Sequence, residues 1–146
     1  MKPLLKGEVC FSENYNNWIL NVMVKWSKRR LRIKINSRKM DLKNDFLSCS
    51  ITKAQFLTFL SRSETYNFKG NKSVYSDLLL ETVETQFLMD SKNPIIKLDK
   101  RSLIFEGGIK KKDFKSLSNV FILFETLMNE IDSVKKIYKR KTWGLI

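Results

Sequence analysis

Cations dominate the side chains of this sequence that could do chemistry. Lys25, Lys28, Arg29, Arg30, Arg32, Lys34, Arg38 and Lys39 fall within one short stretch. Ammonium and guanidinium groups at this density attract polyanions at long range and can follow a phosphate backbone. Over the whole chain 28 Lys+Arg face 15 Asp+Glu, a formal charge of +13, and there is no His. The excess is uneven. Residues 1–43 hold 11 basic and 3 acidic groups, residues 44–91 hold 4 and 6, and residues 92–146 hold 13 and 6. Both ends are cationic around a slightly acidic middle. The chain is also rich in Asn and Ile, so composition alone accounts for part of the lysine. The arginine cluster Arg29, Arg30, Arg32 and Arg38 is less open to that explanation.

Nucleophilic and metal chemistry find little support. Without His, the Ser–His and Cys–His arrangements are excluded. Cys10 and Cys49 stand far apart with no Cys-x-x-Cys spacing, so one chain cannot build a tetrahedral zinc site from them. Both sit in apolar or alternating contexts that suit reduced, half-buried thiols. Gly107-Gly108 lacks the Gly-Lys-Ser/Thr ending of a phosphate loop. One carboxylate fragment remains. Asp41-Leu42-Lys43 resembles the acidic-x-Lys half of a metal-dependent nuclease signature, in which Asp41 would hold Mg²⁺, Lys43 would stabilise developing charge and Glu13 would supply a second acid. A three-residue match is weak in so charged a chain. The expectation is therefore no catalytic residue, no metal and no cofactor.

The elements that must present the cations are legible from periodicity. Trp18, Leu20, Val22, Val24 and Trp26 alternate with Ile19, Asn21, Met23 and Lys25. After a polar break Leu31, Ile33 and Ile35 alternate with Arg32, Lys34 and Asn36. Period two is the mark of half-buried strands, and two of them joined by a short polar segment predict a hairpin. One face packs on the core; the other displays Lys25, Arg32 and Lys34, with Lys28, Arg29 and Arg30 at the tip. The shared alternation assigns Trp18 and Trp26 to core packing, although Trp26 or Tyr15 would suit base stacking. An earlier strand is expected over Glu8 to Ser12 and another over residues 46–51. Thr52 then reads as the N-cap of a helix over residues 53–60. Residues 63–73 read as a polar loop, and Asp77 to Met89 as a short helix running into a strand. Asp99 to Ser102 is a turn between apolar runs, which predicts a second hairpin ended by Gly107-Gly108. Phe114, Leu117, Phe121, Phe124, Met128, Ile131 and Tyr138 follow helical spacing. The fold class expected is α+β: antiparallel hairpins forming a sheet packed against a long C-terminal helix and one or two shorter helices.

Residues 1–141 read as one basic domain and residues 142–146 as an apolar tail, in which Trp143, Leu145 and Ile146 would dock on a partner or fold back on the chain's own core. Lys110 to Lys112 precede the long helix and form a further basic group. The start has no apolar run of signal-peptide length and no 18-residue apolar stretch occurs, so a membrane span is not expected and the cytoplasm, or an organelle matrix after processing, fits. The functional expectation is a non-enzymatic binding module for nucleic acid, RNA or single-stranded DNA, that uses the basic hairpin. The alternatives are an interaction subunit of a protein assembly and a membrane-surface adaptor.

Overall fold

In the computed structural model, residues 6–28, 30–53, 66–109 and 114–144 are described, with side chains of the last helix given from Leu117 to Val134. They form a seven-stranded antiparallel sheet and three helices, an α+β fold. The strands are β1 (Gly7–Tyr15), β2 (Trp18–Trp26), β3 (Leu31–Lys39), β4 (Phe46–Lys53), β5 (Tyr66–Gly70), β6 (Lys92–Lys100) and β7 (Ser102–Ile109). The helices are α1 (Val74–Glu81), α2 (Val83–Leu88) and α3 (Phe114–Gly144). Across the sheet the order is β1-β2-β3-β7-β6-β4-β5.

Local chemistry sets the tight turns. Tyr15 pairs with Trp18 across Asn16-Asn17, and Asn16 adopts φ 51°, a left-handed conformation that Asn tolerates better than most residues. Lys100 does the same at φ 53° between the paired Asp99 and Ser102. Between β2 and β3 the Ser27 N–H donates to the Arg30 carbonyl at 2.8 Å, which closes the basic tip.

The expected alternation decides which face is buried. Trp18, Leu20, Val22 and Val24 of β2 point the same way as Ile33 and Ile35 of β3, and all six are buried. Leu103 and Phe105 of β7, Ile96 and Leu98 of β6 and Ile51 of β4 continue this apolar floor. Above it α3 lays down Val120, Phe124, Leu127, Met128 and Ile131, spaced three and four apart so that one stripe meets the sheet. Leu79 from α1 and Leu88 from α2 fill the remaining space. At the start of α1 the Ser73 hydroxyl accepts from the Ser76 N–H, and the Ser76 hydroxyl accepts from the Ser73 N–H. This reciprocal cap satisfies two backbone donors the helix leaves open.

Four expectations need correction. Thr52 is not a helix cap: it lies inside β4, paired with Ile95 and Asn67, and the helix expected after it falls outside the described residues. The polar loop over residues 63–73 contains β5, the last strand of the described sheet, where Asn67, Lys69 and Gly70 are exposed and their polarity is tolerated. Residues 83–88 are helical rather than extended. Thr85, Leu88 and Met89 meet the core at helical spacing, while Val83 and Phe87 stay exposed. Gly107 and Gly108 do not end the hairpin but pair within β7, opposite Ile33 and Arg32. A side chain at Gly107 would collide with Ser91, and one at Gly108 would press on Lys92. Close approach of the chain leaving α2 is what requires them.

Candidate functional site on the open sheet face

No described helix covers the second face of the sheet, and register determines what stands on it. On β3, Arg32, Lys34, Asn36 and Arg38 point outward and Ile33, Ile35, Ser37 and Lys39 point inward. Pairing with β2 sets Lys25 beside Arg32, Met23 beside Lys34, Asn21 beside Asn36 and Ile19 beside Arg38. From the other half of the sheet, Lys97 of β6 pairs with Ile104 and Ser50, and Ser50 pairs with Lys69 of β5. The open face thus collects cations from four strands. Glu8, Glu106 and Asp99 are the acids among them.

These cations are not equally available. Arg32 donates from Nε to Glu106 at 2.9 Å and reaches the Lys92 and Asn93 carbonyls at 3.4 and 3.2 Å. Those carbonyls lie where the β6–β7 register shifts and Asn93 takes φ 47°, so Arg32 holds an irregularity in the sheet. The Arg32 hydrogen bond keeps the Glu106 carboxyl below its usual pKa, against partial desolvation that works the other way. Lys25, Lys34 and Arg38, by contrast, make no ion pair among the described residues. At the tip Lys28 and Arg30 are exposed, and Arg29 lies outside the described residues.

Lys39 does not join this set. Its side chain is 3% exposed beneath the helix layer, paired with Asp41 at 2.8 Å and, more closely, with Asp132 of α3. Its ammonium also sits 5.1 Å from the centre of the Trp18 ring, a cation–π distance. The Trp18 indole N–H donates to both Asp132 carboxylate oxygens, at 3.3 and 3.1 Å. Burial opposes the Lys39 charge, but hydrogen bonds to Asp132 and Asp41 outweigh it and hold its pKa above the ordinary lysine value. Parity is the reason: Lys39 is an odd-numbered residue on a strand whose odd positions face the core. Its ammonium is neutralised before any phosphate could reach it.

The same cluster engages the nuclease-like fragment. Asp41 faces Lys39 and also accepts from the Asn17 side-chain amide at 3.1 Å, whereas Lys43 is exposed. Among the described residues no group of three His, Cys, Asp or Glu could hold a metal ion. Trp18 and Trp26 both point to the helix-covered side, Trp18 fully buried and Trp26 packed against the core, and Tyr15 lies on that side too. No ring from these residues reaches the open face. Trp143 is in α3 but its side chain is not described, and Leu145, Ile146 and Lys110 to Lys112 lie outside the described residues. Among the described residues no helix is long and apolar enough to cross a membrane.

Two adjoining grooves mark the open face near β1–β3. One, of about 310 Å³, is lined by Cys10, Ser12, Asn21, Met23, Lys34 and Asn36. The other, of about 210 Å³, is lined by Met23, Lys25, Arg32, Lys34 and Glu106. Met23 and Lys34 border both. Partial desolvation and a hydrogen bond to Glu8 push the Cys10 thiol above its usual pKa, so it stays a thiol at neutral pH.

Sequence reasoning missed the groove residues and the two distant lysines. The signal for Asn21 and Met23 was present, because they alternate with the apolar set in step with Lys25. Lys97 and Lys69 could be joined to the face only through the strand order. Compared with protein-family models, curated proteins and solved structures, the chain matches none.

Proposed function

We propose that the open face of the sheet is a binding surface for single-stranded nucleic acid, RNA or DNA, with Lys25, Lys34 and Arg38 as the principal phosphate contacts. The observation that carries this reading is the sorting of cations on β3. Lys34 and Arg38 join Lys25 on a face that no described helix covers, without ion pairs among the described residues, while Lys39, on the opposite side, is neutralised by two carboxylates. Lys34 and Arg38 are four residues apart, hence about 13 Å along the strand, so they would contact different phosphates. Lys97 and Lys69 extend the track beyond β7, and Lys28 and Arg30 extend it at the tip.

A broad sheet cannot enter a duplex major groove as a helix or a two-stranded ribbon does. An unpaired strand can lie across it, with phosphates on the cations and bases over the grooves. With Trp18 and Trp26 turned inward, charge must supply most of the affinity, and affinity must then fall steeply with salt.

The test is binding of labelled single-stranded RNA, single-stranded DNA and duplex DNA across a salt series. The expected result is a steep salt slope and a preference for the single strands. Absence of binding at low salt would overturn the proposal. Competition by polyglutamate as strong as that by RNA would reduce the face to a general polyanion site, the form a protein or membrane partner would use.

A further inference from the structure

The larger groove differs chemically from the cationic track around it. Apart from Lys34 at its border, its polar lining is neutral: Ser12, Asn21 and Asn36 come from three neighbouring strands and share one line of the register, so their side chains stand side by side. The Ser12 hydroxyl donates to the Asn21 amide oxygen at 2.6 Å. That bond commits the Asn21 oxygen and leaves its NH₂ group as a donor. Asn36 is half-buried and makes no side-chain hydrogen bond among the described residues, so it offers a donor and an acceptor side by side. Met23 gives an apolar, polarisable floor. Lys34 stands at the border with the second groove, where Lys25 is its diagonal neighbour.

A primary amide with both functions free matches the edge of a nucleobase, which presents a donor next to an acceptor. A phosphate has only acceptors and would leave the Asn36 oxygen unsatisfied. We infer that this groove is a nucleobase subsite, with a base over Met23, its edge on Asn36 and Asn21, and its phosphate on Lys34 and Lys25. The inference rests on the reading of this face as a nucleic-acid surface and adds to it that bases are bound as well as the backbone.

Cys10 supplies a probe of position. It is exposed in the wall of the groove, whereas the other described thiol, Cys49, is buried. The experiment compares an oligoadenylate with an abasic oligonucleotide of the same length and charge, by affinity and by the rate of maleimide addition to Cys10. Oligoadenylate should bind about threefold tighter or more, which is the worth of a neutral hydrogen bond, and should slow Cys10 labelling more than the abasic strand at equal occupancy. Asn36→Ala should bring the two affinities together while leaving abasic binding and its salt slope unchanged. Equal affinities with equal Cys10 labelling would overturn the base subsite and leave the phosphate surface standing. Failure of both oligonucleotides to bind at low salt would overturn the two together. The labelling comparison uses the unaltered chain, so it decides the matter even if the variant folds poorly.

Discussion

Lys34 and Lys39 belong to one strand, and the odd spacing between them turns them to opposite sides of the sheet. Lys34 stands on the open face without an ion pair among the described residues, at the border of two grooves. Lys39 is enclosed by Asp41, Asp132 and the Trp18 ring. A charge in water costs little and is free to meet a ligand. A charge under a helix must be matched at once, and the match uses it up. The net charge of a chain is therefore a poor measure of its binding capacity until each cation has been assigned to a face.

Removing the charge on each side in turn separates the two roles. Lys39→Met should lower stability to urea by about 2–4 kcal/mol, because it leaves Asp132 facing Trp18 without its cation. The folded variant should keep its affinity for single strands. A Lys39→Met protein as stable as the parent would erase the distinction between the two faces. On the open side, the triple Lys25→Ala, Lys34→Ala, Arg38→Ala variant should leave the melting temperature nearly unchanged. Its plot of log affinity against log salt should flatten by about 2, from roughly 0.7 per lost phosphate contact.

Titration sharpens the contrast at both ends of the pH scale. The Lys39 pKa is raised in the folded state, so its stabilisation is fully present below the unfolded lysine value of about 10.4 and is lost as pH rises through the higher folded value. Urea midpoints should hold up to that region and then fall, and Lys39→Met should lack that part of the fall. The Glu106 pKa is lowered, so its contribution is present above its unfolded value and disappears as pH falls through the depressed folded one. Both partners of the Arg32–Glu106 pair are about one-third exposed, at 36% and 35%, so solvent screens it. Glu106→Gln should cost at most about 1 kcal/mol at neutral pH, read as a small shift in urea midpoint that vanishes in acid.

Much of the architecture was legible because its signals are local. Alternation found β2 and β3, the turn residues between apolar runs found β6 and β7, and the three-four spacing of Phe121, Phe124, Met128 and Ile131 found α3. What escaped depends on partners far away in sequence. Ser37 and Lys39 continue the inward set of β3, yet a serine and a lysine do not read as core positions. Ser37 donates to the Leu103 carbonyl, and Lys39 needs Asp132, 93 residues on, to be stable there. β5 is short and polar and becomes a strand only by adding to β4. The alternation placed Lys25, Arg32 and Lys34 on one hairpin face, where they stand; Arg38, named as a cation but not given a face, joins them. The groove and the distant lysines required the complete sheet.

The junction between β3 and β7 has a further meaning for how the protein comes into being. Arg32 and Glu106 meet across it from positions 74 residues apart, whereas β1 to β3 form a local meander and β6 with β7 a local hairpin. Closing a long loop costs entropy before any contact repays it. The expected order is that both local units form early and the central ladder joins them late. A ribosome would have to release β7 before the cationic track could run unbroken from Lys25 to Lys97. Until then the chain holds only the larger groove, and β7 brings Glu106, which completes the second.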